Sequence, residues 1–257
     1  MGEARSPSRR ARVAGIAALT AALTAATLAL PGGSGAASSC FGRAATIVRG
    51  SGDDNIHGTA GSDVIVAGGG NDTVAAGNGV DYVCGEGGDD TIDTGNGDDF
   101  IDGGRGNDEL HGYNGGDKII GGGGRDFLDG RRGELGDVLI GGAGRDRMLG
   151  GEKSLGGSGN DRMNGTGYVN DSHRDVLKGG RGNDRIAGDT SGHGPDLIRG
   201  GDGADTLRGL SGRDHIFGNA GGDDLEGGPG NDDLNGGPNV DTCDQGSGTG
   251  TLVNCEA

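Results

Sequence analysis

Between Arg49 and Asp129 nine residues repeat nine times without a gap. The copies include RGSGDDNIH, GTAGSDVIV, AGGGNDTVA and GGRGNDELH. Position 4 is glycine in each, from Gly52 to Gly124. Position 6 is aspartate: Asp54, Asp63, Asp72, Asp81, Asp90, Asp99, Asp108, Asp117 and Asp126. Position 8 is aliphatic, from Ile56 to Leu128. A period this short constrains the fold before any local propensity does. Each unit is too small to bury its own apolar side chain, so units must stack into a solenoid.

Glycine and proline make up 70 of 257 residues, aromatics are 3%, and the formal charge is -17. Such a composition alone resembles disorder. Disorder, however, does not require an aliphatic residue at every ninth position. The acidity argues against nucleic acid and towards cations as partners.

The first residues read as a targeting segment. Arg5, Arg9, Arg10 and Arg12 precede an uncharged apolar run from Val13 to Leu30, and small residues follow at Gly35-Ala36-Ala37. Residues 1–37 are therefore expected to be a signal peptide, general secretory or twin-arginine, and the mature protein to be extracellular. No further segment is expected to span a membrane. Four cysteines in an exported chain suggest disulfides. Cys243 and Cys255 enclose a short glycine-rich loop. Cys40 and Cys84 pair by elimination, yet their positions fall about two coil turns apart, roughly 10 Å, beyond disulfide reach. Either the segment before Arg49 folds back over the first coils, or the two stay separate, or Cys40 carries a lipid anchor.

Residues 38–48 read as an N-terminal cap with Ile47 in the aliphatic column, and 49–149 as a first repeat block. In 150–178 the repeats are irregular, 179–244 is a second block, and 245–257 is a C-terminal cap. The acidic column continues through Asp137, Asp146, Asp161, Asp175, Asp184, Asp196, Asp205, Asp214, Asp223, Asp232 and Asp241. Four intervals exceed nine residues, ending at Asp137, Asp161, Asp175 and Asp196. All the extra residues are expected in turns, as loops on one edge of the solenoid.

Positions 1–6 read as a glycine-rich turn, and 7–9 as a three-residue strand whose middle side chain faces inward. Two repeats make one coil, so 20 repeats give about ten coils. One aliphatic side chain per repeat cannot offset the ordering of nine residues, and rows of carboxylates oppose stacking further. A hard divalent cation held by carboxylates and carbonyls would neutralise the rows and tie turns together.

GGRGNDELH at 103–111, GGGGRDFLD at 121–129, GGAGRDRML at 141–149 and GGPGNDDLN at 227–235 match G-G-x-G-x-D-x-U-x. This resembles the repeat of RTX, or hemolysin-type calcium-binding, proteins. The resemblance implies a right-handed parallel β-roll, a β-helix solenoid, with Ca2+ in rows between turns. It implies that the 20 position-6 aspartates supply side-chain oxygen and glycine-turn carbonyls the rest. Arg125, Arg145 and Arg213 at position 5 are expected to weaken individual sites.

No catalytic signature emerges: HExxH and GxSxG are absent, and His57, His111, His173, His193 and His215 lack ligand spacing. Asn231-Asp233-Asn235-Gly236 starts like an EF-hand loop, but its twelfth position is Thr242. Val64, Tyr82 and Phe100 stand 18 residues apart and should stack on one outer face, as sheet support or as a contact patch. The expected function is a secreted, non-enzymatic calcium-binding protein with a structural or interaction role at the cell surface or with a protein partner. Two alternatives are a polysaccharide-acting solenoid enzyme with its site in 150–178, and an ice-binding solenoid. The last needs a flat Thr ladder, whereas Thr73, Thr91, Thr206 and Thr242 are scattered.

Overall fold

A computed structural model describes residues 39–130, 136–165, 173–189 and 194–256. The expected signal peptide lies outside the described residues. No helix long and apolar enough to cross a membrane occurs among those described.

The nine-residue period becomes two facing parallel sheets, of 11 and 12 strands. Successive strands alternate between them, so each strand pairs with the strand two further along the chain. Val83 aligns with Ile101 and Ile101 with Ile119 in one sheet, and Ile92 with Leu110 in the other. Position 8 therefore forms two inward rows that meet as one core, from Ile56 to Leu234. Nearly every member is fully buried. The result is a parallel β-solenoid of about 11 turns.

Strands are longer than the sequence pattern suggests. Val64–Gly69, Thr73–Asn78, Tyr82–Gly87, Thr91–Asn96 and Phe100–Arg105 each have six residues. Pairing thus runs on through positions 1–3, where Gly104 aligns with Gly122. Those positions carry little side-chain alternation, which is why they read as turn. Position 4 does need glycine. Gly106 has φ 128°, and a Cβ there would strike the carbonyl oxygen of Gly88 one coil earlier.

The extra half-turns explain why the coil count exceeds ten. Ile47–Val48 and Thr251–Val253 add a strand at either end of the larger sheet. A third, Lys153–Ser158, lies inside the 15-residue interval between Asp146 and Asp161. That interval is not a loop insertion, because a three-residue turn, 150–152, leads straight into another strand. Glu152 stands in the acidic column, and Ser154 pairs between Leu139 and Leu177 in the inward row. Neither residue carries the repeat signature. The other three long intervals each run from a strand of the 11-stranded sheet to one of the 12-stranded sheet, and of their added residues 131–135, 166–172 and 190–193 lie outside the described residues. Within 150–178, then, described residues continue both sheets, while 166–172 lie outside the described residues.

The N-terminal hairpin Ser39–Cys40 with Arg43–Ala44 folds back over the first coils. It brings the Cys40 and Cys84 Cα atoms to 5.8 Å, and the disulfide forms. Cys40 is thereby taken from the lipid-anchor alternative. Cys243 and Cys255 form the second disulfide. The hairpin also covers the aromatic ladder: Tyr82 and Phe100 stack at 4.7 Å, and Phe41 packs edge-on to both. The Arg43 guanidinium lies 4.0 Å from the Tyr82 ring centroid. Tyr82 is only 9% exposed, so the ladder is a small second core rather than an open contact patch.

Ser154 buries a hydroxyl without a hydrogen-bond partner in an otherwise apolar row. Ser154→Ala should stabilise the calcium-loaded fold by about 1 kcal/mol, read as a higher thermal midpoint. A lower midpoint would contradict this reading of the half-turn.

Candidate metal centre

The 20 sequence-predicted aspartates fall into two rows, each residue immediately preceding a strand. Asp54, Asp72, Asp90, Asp108, Asp126, Asp146, Asp161, Asp184, Asp205, Asp223 and Asp241 precede strands of the 11-stranded sheet. Asp63, Asp81, Asp99, Asp117, Asp137, Asp175, Asp196, Asp214 and Asp232 precede strands of the other. All except Asp54 are buried.

Each carboxylate has two different jobs. One oxygen staples neighbouring coils, since Oδ1 accepts the backbone N–H of the aspartate one coil earlier. Asp90 donates to Asp108 at 2.9 Å, Asp108 to Asp126 at 3.0 Å and Asp126 to Asp146 at 2.9 Å. In the first row this chain is continuous and ends with Asp241 donating to Glu256 Oε2 at 2.6 Å. In the second row it runs from Asp63 to Asp137 and resumes from Asp175 to Asp232. The break is at Glu152, the residue that replaces aspartate.

The other oxygen is orphaned. Oδ2 is buried without a hydrogen-bond partner in 15 of the 20, including Asp90, Asp108, Asp126, Asp161 and Asp205. Leaving a charged acceptor so is costly. Two exceptions have local donors: Asp63 Oδ2 takes the Thr59 N–H, and Asp196 Oδ2 takes the Asp189 N–H at 3.0 Å. Asp161, which follows the extra half-turn, keeps the regular geometry. Asp196 does not, because the longer turn before it supplies a donor.

Carbonyl oxygens converge on the same places. A Cβ on Gly121 would lie 2.5 Å from Asp126 Oδ2 and 2.7 Å from the carbonyl oxygen of Gly141. On Gly141 it would meet Asp146 Oδ2 and the Gly156 carbonyl at the same two distances. Glycine at Gly121 and Gly141 keeps that space open, whereas Ala67, Ala76 and Thr94 show that position 1 also admits a small side chain in the first coils. Among the described residues no group of three or more His, Cys, Asp or Glu side chains is placed to hold a metal. A cation here must draw on backbone carbonyls as well as carboxylates. Hard oxygens in a glycine-rich cage are the donor set calcium takes, and a cation there would answer the orphaned oxygens that have no protein donor.

Burial raises the carboxyl pKa along both rows, and neighbouring aspartates add to it. Asp90, Asp99, Asp117 and Asp161 rise to about 6. Asp108, Asp137, Asp146, Asp205 and Asp214 rise to about 7. The backbone N–H bond pulls the other way but does not win. A raised folded pKa means that the metal-free fold binds more protons than the unfolded chain between about pH 4 and about pH 7. Its stability should therefore rise as pH falls through that window, then level off. Circular dichroism of the EDTA-stripped chain should show more β-structure at about pH 4.5 than at about pH 7.5. The reverse order would contradict buried, unneutralised rows.

Comparison with known families agrees with this geometry. The chain matches the RTX calcium-binding nonapeptide repeat over residues 49–83, 85–110, 102–134, 135–152, 170–191, 192–225 and 217–252. These segments cover well over half of its 257 residues. No curated protein matches it. Parallel coils, glycine turns and paired rows of half-satisfied aspartates thus have one common source: the chain belongs to the RTX calcium-binding nonapeptide-repeat family, and Ca2+ is the ion its repeats bind.

Proposed function

We propose that this is a secreted, non-catalytic β-roll whose folding is conditional on extracellular calcium and whose role is structural or one of interaction. The observation that carries it is the orphaned Oδ2 in 15 of the 20 acidic-column aspartates. In this reading all 20 position-6 aspartates serve the ions, with the carbonyls of the glycine-rich turns completing each shell. Calcium bound there neutralises the rows and links consecutive coils. The chain's own contribution is the Oδ1 staple, which fixes the carboxylates between coils as the roll forms around its ions. Folding and binding are then one event.

Two features support an extracellular setting. The leader-like residues 1–37 would direct export, and both cysteine pairs are disulfides, which persist in oxidising compartments. The expected domain limits stay part of this proposal: caps at 38–48 and 245–257 around repeat blocks 49–149 and 179–244, with the irregular 150–178 between.

Asp108→Asn with Asp126→Asn removes two charges from the uninterrupted row while keeping an oxygen for each staple. The calcium midpoint for folding should rise at least about threefold, and calorimetry should count fewer ions. Asp224→Asn, beside Asp223 but exposed, should change neither quantity. Equal midpoints for the double variant and the native chain would overturn the assignment.

A further inference from the structure

We infer that the outer face of the 11-stranded sheet, across its central coils, is a docking surface for a linear acidic polysaccharide. Arg147, Arg162 and Arg185 occupy the same outward position on three consecutive strands, each aligned with the next. The step between them is one strand spacing, roughly 4.8 Å. All three are exposed. Neither Arg162 nor Arg185 has an ion-pair partner among the described residues. Arg208 stands on the following strand, where Ala187 aligns with it. A shallow groove there is lined by Arg162, Asn164, Arg185, Ala187, Thr206 and Arg208.

Like charges stacked in register oppose sheet formation. Elsewhere on this roll several cations meet acids across strands or coils: Arg208 with Glu226 at 3.1 Å, Arg213 with Asp233 at 3.5 Å and Arg181 with Asp202 at 3.9 Å, while Lys178 and Arg199 on the opposite sheet repeat the like-charge alignment only as a single pair. At Arg162 and Arg185 that compensation is missing. The wider charge distribution follows the same division. Fifteen of the 22 Lys and Arg lie within 118–213, and among residues 38–257 only Arg43, Arg49 and Arg105 lie outside it. Residues 214–257 carry nine acids and no Lys or Arg. Calcium in the inner rows would cancel Asp146, Asp161 and Asp184, which directly precede the ladder strands, and leave its face cationic. The inference therefore deepens the proposed function and rests on a calcium-loaded roll.

The partner's chemistry follows from the geometry. The guanidinium ladder presents one bidentate donor per strand to carboxylates or sulfates. An extended pyranose chain running along the roll advances by about one strand spacing per ring, roughly 5 Å. Asn164 and Thr206 add polar groups for sugar hydroxyls. Single-stranded nucleic acid would want aromatic platforms in the groove, and Phe127, beside Arg147, lies at one end of the ladder instead.

The test is fluorescence anisotropy with a labelled heparin-derived octasaccharide and the full chain in about 1 mM calcium. The native chain should bind it, and R162S/R185S should bind at least about tenfold more weakly. K153S/K178S, on the opposite sheet, should bind as the native chain does. Circular dichroism in calcium, run on each variant, reads the roll separately, so a failed calcium response and a failed ladder are distinguishable. With the roll folded, three results would each overturn the inference: no binding by the native chain, equal affinity for R162S/R185S, or tighter binding of single-stranded DNA or anionic phospholipid vesicles.

Discussion

Everything in this fold depends on a carboxylate placed between two coils. The aspartate at position 6 accepts a backbone N–H from the coil before it through one oxygen and, in 15 of the 20, leaves the other buried without a hydrogen-bond partner. The first contact sets the register of coil on coil, and the second makes that register expensive while the carboxylate is charged. Apolar burial is too thin to outweigh this, because each coil contributes only two inward side chains. In the proposed reading a cation is thus part of the fold rather than an addition to it.

The departures from regularity follow the same logic. The longer intervals all lead from the 11-stranded sheet into the 12-stranded one, and the acidic row that precedes the latter is the one that breaks. At Glu152 the unit is shortened to six residues, because a three-residue strand leads straight into a three-residue turn, and at Asp196 a longer interval donates its own N–H. The opposite row meets neither interruption and runs unbroken to Glu256. Uneven turn length therefore makes the two rows chemically unequal although the repeat writes them alike. The ends are closed by different means. A hairpin, a disulfide and a small aromatic core cover the first coils, while a second disulfide and Glu256 finish the last.

Much of this was legible in the nine-residue period, which places Ile56, Asp54 and their successors on the inner and acidic rows without further information. Strand length was not. Gly103 and Gly104 carry no side chain to alternate, so the pattern falls silent where the backbone pairing continues. The half-turn at Lys153–Ser158 was invisible for a similar reason, since Glu152 and Ser154 replace both residues that mark a repeat. The Cys40–Cys84 pair looked too distant because spacing along a solenoid assumes that the chain keeps coiling. Ser39–Ala44 instead turns back as a hairpin. The orphaned Oδ2 atoms were beyond sequence altogether, because they depend on which oxygen the staple uses.

The most direct measurement is far-UV circular dichroism of the full chain during a calcium titration from an EDTA-stripped start at neutral pH. The expected result is a cooperative passage from coil to β-structure at about 0.1–1 mM calcium, the range of extracellular modules. A spectrum already folded without the metal, and unchanged by it, would contradict the claim that calcium completes the fold.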